Sequence, residues 1–222
     1  MKLLHGAIAI DDVKVFVPES HPSYPYWKEW CEDSFMTIFT DMDKVRNSGG
    51  DYLFLISCTE IVGDDVRSKY RHCIVIHESD LPRGRGWSPL AWQILEGKNE
   101  ITVSAIKCAD KVDTGDIIAQ SVLRMDGTEL YDEIHRKAFI VKSELALQIV
   151  LDQTLDRKDA DILPQRGDST YYRRRTPVDS ELSADKSIAE QFELLRICEP
   201  RFPAFFNHRG CRYVVSLRKD IG

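Results

Sequence analysis

Strands alternating with helices over most of the chain predict an open, mostly parallel α/β sheet flanked by helices. Three stretches lead to this. Residues 52–56 (Tyr-Leu-Phe-Leu-Ile) form a nearly continuous apolar run, as a strand covered on both faces of a parallel sheet requires. Residues 73–76 (Cys-Ile-Val-Ile) form another. From Glu129 to about residue 155, Leu130, Ile134, Ala138, Val141, Leu145 and Ile149 keep helical spacing, which predicts a long amphipathic helix.

The remaining elements follow in order. Residues 13–17 alternate and are β-branched, so they read as a strand that Pro18 ends. Residues 24–31 read as a short helix and residues 35–39 as a strand. A Gly- and Pro-rich loop runs from Leu81 to Gly86, and the helical pattern of residues 89–96 stops at Gly97. Residues 102–108 and 117–125 read as strands. A polar stretch with Pro164, Gly167 and Pro177 reads as a linker over 156–179. A short helix over 187–198 and a strand over 213–217 complete the chain. The body of the fold is assigned to residues 1–176 and a small helix-plus-strand appendage to 177–222. Phe202, Phe205, Phe206 and Tyr213 exceed what so small an appendage can bury, so they are expected to cover the body or a second subunit, as in a homodimer.

With 222 residues the chain is long enough for one domain with a real core, and its net charge of −6 argues against a broadly basic nucleic-acid face. The apolar N-terminal run is broken at Asp11 and Asp12, too short to span a membrane and a poor signal peptide. A cytoplasmic protein with no membrane partner is expected. The six cysteines form no Cys-x-x-Cys pair and no His pair completes a zinc site, so no metal is expected, and the thiols read as buried and free. Neither a dinucleotide fingerprint nor a phosphate loop is present, and Gly84-x-Gly86 alone reads first as a tight turn.

In an open α/β sheet, ligands sit beyond the carboxyl ends of the strands. That rule singles out the loop beginning at His77 and the loop of residues 109–116, each taken to leave a strand's carboxyl end. The first reads His77-Glu78-Ser79-Asp80-Leu81-Pro82-Arg83-Gly84-Arg85-Gly86, then Trp87-Ser88-Pro89; the second holds Val112-Asp113-Thr114-Gly115-Asp116. Together, in this order and spacing, they resemble the formyltetrahydrofolate-dependent formyltransferase family. That resemblance covers about residues 13–206, including Arg175-Thr176-Pro177-Val178-Asp179-Ser180 in the tail.

The resemblance implies a Rossmann-like catalytic domain and N10-formyltetrahydrofolate as formyl donor. His77 would be the catalytic histidine and Asp113 the catalytic aspartate. The chemistry needs such a pair: an amine attacks the formyl carbon, a tetrahedral oxyanion forms, and a proton must pass from the amine to the leaving nitrogen. An imidazole can carry that proton while a carboxylate fixes its tautomer or orders a water. The folate ring would lie against Ile56, Ser57, Cys58, Thr59, Glu60 and Ile61, and against Ala109, Asp110 and Val112. The pattern departs at Val75, where relatives carry Asn. Valine cannot donate a hydrogen bond, so charged His77, a backbone N–H or Ser79 would have to stabilise the oxyanion, or the chain would bind folate or nucleotide without turnover.

Among acceptors, methionyl-tRNA calls for a basic surface and a longer tail, and glycinamide ribonucleotide for the missing Asn. The His-Glu-Ser loop and the tail resemble most the sugar N-formyltransferases of surface-polysaccharide biosynthesis. A nucleotide-linked amino sugar is therefore the expected acceptor, a UDP-linked 4-amino-4,6-dideoxy sugar within that class. Glu78, Ser79, Arg83, Arg85 and Gly86 would face it, with Tyr172 and Arg173 of the aromatic and basic run 171–175 stacking a base or pairing a phosphate.

Overall fold

The computed structural model describes residues 12–152 and 162–220. In chain order its elements are β1 (Val13–Phe16), α1 (Tyr24–Asp33), β2 (Thr37–Phe39), α2 (Met42–Arg46), β3 (Gly50–Ile56), α3 (Asp64–Arg67), β4 (Tyr70–His77), β5 (Arg85–Gly86), α4 (Pro89–Leu95), β6 (Glu100–Lys107), β7 (Ile117–Arg124), α5 (Tyr131–Leu151), β8 (Tyr171–Tyr172), α6 (Phe192–Ile197), β9 (Ala204–His208) and β10 (Cys211–Val215). Six strands form one sheet in the order β2-β1-β3-β4-β6-β7. β2, β1, β3 and β4 are parallel, β6 is antiparallel to β4, and β7 is antiparallel to β6. β6 alone opposes the others, so the expected open, mostly parallel sheet is present.

Strand residues alternate between faces, and the two faces are covered differently. Val13, Val15, Tyr52, Phe54, Ile74 and Ile76 pack with Trp27 of α1 and with Ile134, Ala138, Leu145 and Ile149 of α5. Each such Ile or Leu, fully buried, contributes roughly 2 kcal/mol. Phe16, Leu53 and Leu55 on the opposite face pack with Met42, Val45 and Val66, with Val75, Cys73 and Cys108 half-buried beside them. α5 starts where Leu130 N–H donates to Glu133 Oε2 at 2.8 Å, which satisfies one of the free donors at a helix start. Its expected extension toward residue 155 lies outside the described residues.

Several expectations are corrected. The second strand begins only at Thr37, because Phe35 is 86% exposed in a left-handed turn with φ 57°. Short helices α2 and α3, which carry too few residues for a periodic signal, fill connections to which the sequence assigns no element. The predicted helix over 187–198 is a 3-10 turn at Ala189–Gln191 followed by α6. The last strand runs from Cys211 to Val215 and pairs with β9 as a hairpin. Of the cysteines only Cys31 is fully buried; Cys58, Cys73, Cys108 and Cys198 are half-buried and Cys211 is exposed.

The polar stretch read as a linker is, over its described part, bound to the body. Leu163 bridges Ile117, and β8 pairs in parallel with β5, Tyr171 opposite Arg85 and Tyr172 opposite Gly86. The tail docks through Arg196 of α6, 1% exposed, which donates to Asn99 Oδ1 at 3.1 Å and to Glu193 Oε2 at 2.6 Å. Phe205 is buried, whereas Phe202 and Tyr213 remain exposed.

Among the described glycines, Gly115 has the closest backbone approach. A Cβ built there would stand 1.7 Å from the Lys107 carbonyl oxygen, so only glycine fits where the loop after β6 passes back over that strand's end. Gly115→Ala is expected to cost about 3 kcal/mol or more as an overpacked, backbone-limited contact. Thermal unfolding reads this as a lowered melting temperature, and an unchanged melting point would mean that the loop has another path.

Candidate active site

β4 delivers His77 as its last residue. Beyond it the chain bends at once, with Ser79 N–H donating to His77 O at 3.0 Å. The bend is held from beneath. Gln93 of α4 donates to Glu78 O at 2.6 Å, Ser104 Oγ donates to Ser79 O at 2.7 Å, and Gln120 Nε2 donates to Ser104 Oγ at 2.9 Å. His77 Nε2 lies 2.8 Å from Gly84 O. A carbonyl only accepts, so Nε2 carries the proton and Nδ1 is the other ring position. Nδ1 faces Asp113 Oδ1 across 3.7 Å, with both side chains under a tenth exposed. That gap exceeds a direct hydrogen bond.

Asp113 comes to His77 by an unexpected route. Because β6 runs against β4, its carboxyl end lies beside the middle of β4, away from His77: Ile74 pairs with Lys107 and His77 with Ser104. Cys108 N–H donates to Cys73 O at 2.8 Å. Residues 109–116 do leave a strand's carboxyl end, as expected, but because β6 is antiparallel to β4 that end is not at the His77 edge. The loop doubles back along β4, and only so does the carboxylate meet the imidazole.

One contact holds the carboxylate and two more hold the turn that carries it. Asp113 itself is left-handed, φ 54°, a conformation that Asp tolerates better than most residues. Its Oδ2 accepts the Gly86 N–H at 2.8 Å, tying it to the His77 loop. The Gln165 side-chain amide donates to both Asp113 O and Gly115 O, each at 2.8 Å, while its Oε1 accepts from Arg85 Nη2 at 2.5 Å. Sequence reasoning missed Gln165, because it sits in the stretch read as linker. Pro164 and Gly167 beside it gave a turn signal but nothing that pointed to the Asp113 loop.

The other expected site residues divide. Glu78 bonds Lys142 of α5 at 2.7 Å, behind the His77 bend. Ser79 is buried, and its Oγ has no partner and packs under Gly84, so the hydroxyl is covered. Arg83 is exposed. Tyr172 donates its hydroxyl to Glu96 at 2.8 Å and stacks on Trp92. Arg173 pairs with Asp179 at 2.8 Å and also lies over Trp92. These two residues hold β8 against α4, while exposed Tyr171, and Arg174 lying over Trp87, line the neighbouring surface. On the expected folate walls, Glu60 bonds Arg46 at 2.5 Å and Asp110 bonds Arg67, so their carboxylates are engaged. Ile61 and Val112 are exposed apolar side chains, 71% and 48% accessible. Cys58 and Ser57 are half-buried, and Ser57 is left-handed at φ 51°.

Behind His77, His21 and His135 meet edge to face at 5.7 Å, near Lys142 and Glu78. Burial, then Lys142, pushes His135 down to about 3, and the same two causes take His21 well below its ordinary value. For Glu78, burial pulls upward, but Lys142 and the hydrogen bond from it prevail and hold the carboxyl at about 2.

A family model described as formyl transferase matches residues 40–150, half of the chain. The structure is similar to methionyl-tRNA formyltransferase from Clostridium thermocellum, 22% identical over 92% of each chain with a TM-score of 0.75. It is similar to a 4-N formyltransferase from Francisella tularensis, 19% identical, covering 95% of this chain and 98% of that one, TM-score 0.68. It also resembles HypX from Aquifex aeolicus, solved in complex with tetrahydrofolic acid, at 15% identity, 94% of this chain and 38% of that one, TM-score 0.73. The chain belongs to the formyl transferase family, and is by that membership an enzyme of formyl transfer. Among the described residues no helix is long and apolar enough to cross a membrane.

Two outcomes are expected. If Gln165 clamps the Asp113 turn, Gln165→Ala loses the two bonds donated to that turn, about 1 kcal/mol each, together with the acceptor for Arg85, and amide exchange over 109–116 should rise by about tenfold or more. Gln165→Glu keeps the acceptor for Arg85 but loses the donor, so it should loosen the loop equally; a fully protected loop in that variant refutes the clamp. The pH dependence of stability has a definite sign. His21 and His135 have depressed folded values, so below their ordinary 6.5 the unfolded chain binds protons that the folded chain does not, and stability falls with acid. Glu78, held at about 2 against an ordinary 4.5, contributes stability that is present above 4.5 and lost as pH falls toward 2. Melting temperatures should therefore decline in two stages, and His135→Phe should flatten the upper one.

Proposed function

We propose that this chain transfers a formyl group from N10-formyltetrahydrofolate to the amino group of a nucleotide-linked amino sugar, with a UDP-linked 4-amino-4,6-dideoxy sugar as the acceptor within that class. The observation that carries the chemistry is the His77–Asp113 pair: a ring pinned at Nε2 by Gly84 O, with Nδ1 turned to a buried carboxylate 3.7 Å away. His77 Nδ1 accepts the proton that the attacking amine releases. Asp113 then stabilises the charged ring, and the ring's charge stabilises the tetrahedral oxyanion. The proton passes to the folate nitrogen as the carbon–nitrogen bond breaks. Val75, half-buried on the same face of β4 as His77, supplies no donor, so this task falls to the charged ring and to backbone N–H groups. Covered as it is, the Ser79 hydroxyl would have to move to help.

The donor fits the two loops of the expected folate wall. Exposed Ile61 and Val112 offer apolar cover for a flat ring, and the ion pairs of Glu60 with Arg46 and of Asp110 with Arg67 brace the loops that would contact it. The acceptor fits the exposed surface beside the His77 loop, where Trp87, Arg174, Tyr171 and Arg83 offer stacking and cationic groups to a nucleotide diphosphate. Net charge −6 speaks against methionyl-tRNA as the acceptor. The proposal includes cytoplasmic surface-polysaccharide synthesis and a catalytic body over 1–176, with a homodimer meeting through exposed Phe202, Tyr213 and Val214 of the appendage.

The test is a formyl-transfer assay with N10-formyltetrahydrofolate and a panel of UDP- and dTDP-linked 4-amino and 3-amino sugars. Turnover with one of them should fall by about a hundredfold or more in His77→Ala and in Asp113→Ala. Turnover only with methionyl-tRNA or another amine would sink the acceptor assignment. Donor binding without any transfer would make the chain a non-catalytic folate- or nucleotide-binding relative.

A further inference from the structure

Two thiols meet at the foot of the loop that carries Asp113, four residues upstream of His77 along β4. Cys73 of β4 and Cys108, the residue after β6, stand opposite each other. The register pairs Ile74 with Lys107, and Cys108 N–H donates to Cys73 O at 2.8 Å. Hydrogen-bonded partners on antiparallel strands have Cα atoms about 5.5 Å apart. That lies inside the span of roughly 4.4–6.8 Å that a disulfide bridges. The two thiols are near enough to act on each other's ionisation. Neither residue is fully buried, and both line an open cleft with Arg67, Arg71 and Lys107. Cys58, the third thiol of this face, is turned elsewhere, 3.5 Å from Glu60 O and 4.0 Å from Met42 Sδ.

We propose that Cys73 and Cys108 form a reversible dithiol–disulfide couple, with Cys108 attacking a low-molecular-weight disulfide and Cys73 resolving the product. The two thiols are unequal in the sense this requires. The neighbouring Cys73 thiol and, against the opposing effect of burial, the charge of Arg67 hold the Cys108 thiol below its ordinary value. The Cys108 thiol and burial push Cys73 up. Thiolate attack depends on such a difference. The Cys108 thiolate attacks one sulfur of the small disulfide, that sulfur–sulfur bond breaks, and one small thiolate leaves. Cys73 then gives its proton to water, attacks the Cys108 sulfur and expels the second small thiolate. Two protein thiols are oxidised by two electrons, and one small disulfide is reduced to two thiols. The resulting bridge ties the first residue of the Asp113 loop to β4.

The test uses the full chain in glutathione buffers of rising oxidised-to-reduced ratio, with acid quenching, alkylation and peptide mapping by mass spectrometry. Free thiol should disappear from Cys73 and Cys108 together, a Cys73–Cys108 linked peptide should appear, and dithiothreitol should reverse both. In Cys73→Ser, Cys108 should halt as the glutathione mixed disulfide. The exposed Cys211 calibrates reactivity. If Cys211 is glutathionylated while Cys73 and Cys108 both keep their thiols, or if Cys108 is recovered joined to Cys58, the proposal is overturned.

Discussion

The organising constraint of this molecule is the reversed direction of β6. In a wholly parallel sheet, a strand beside β4 would release its carboxyl-end loop at the same edge as His77. Here it releases that loop beside Cys73, so the carboxylate must be carried back along the sheet. The local features around Asp113 follow from that journey. Gly115 lets the backbone cross the Lys107 carbonyl, Asp113 takes a left-handed turn, and Gln165 saturates the carbonyls that the turn leaves free. A buried carbonyl without a donor is costly, so the Gln165 amide holds the turn that places Asp113 beside His77.

The histidine side is built on different terms. His77 stands on a strand that is buried on both faces, and the bend after it exposes two carbonyls that Gln93 and Ser104 satisfy. Behind the bend, Glu78 and Lys142 neutralise each other in a setting where either charge alone would be expensive. Buried polar networks of this kind fix one arrangement when every member is paired. The unpaired Ser79 hydroxyl and His135 Nδ1 are exceptions in an otherwise closed network, and both lie within this region.

Much of the fold was legible because its signals are local. The apolar run at 52–56, the 3.6-residue rhythm from Ile134 to Ile149 and the stop at Gly97 each depend on neighbours in sequence, and each became the expected element. His77 and Asp113 were legible through their motifs, and the structure brings the two together. What was not legible depends on pairing across distance. Strand direction cannot be read from an apolar run, so the reversal of β6 was hidden. Gln165 and Thr170 look like linker residues until β8 pairs with β5, when Thr170 Oγ1 accepts the Gly84 N–H across 86 residues of sequence. Tyr172 and Arg173 look like ligand groups by type, yet Glu96 and Asp179 engage them, which no spacing rule foretells.

The β5–β8 pairing also sets an order of events during synthesis. Domains generally fold from the N-terminus as the chain emerges, and the sheet from β1 to β7 needs nothing beyond Arg124 to pair its strands. The carboxylate turn, however, waits for Gln165, and the loop under His77 waits for Thr170 and Tyr172. A nascent chain halted after α5 would hold a nearly complete scaffold with His77 and Asp113 unbraced. Competence for chemistry would thus arrive abruptly and late, when a segment with no core of its own leaves the ribosome and closes against a finished surface.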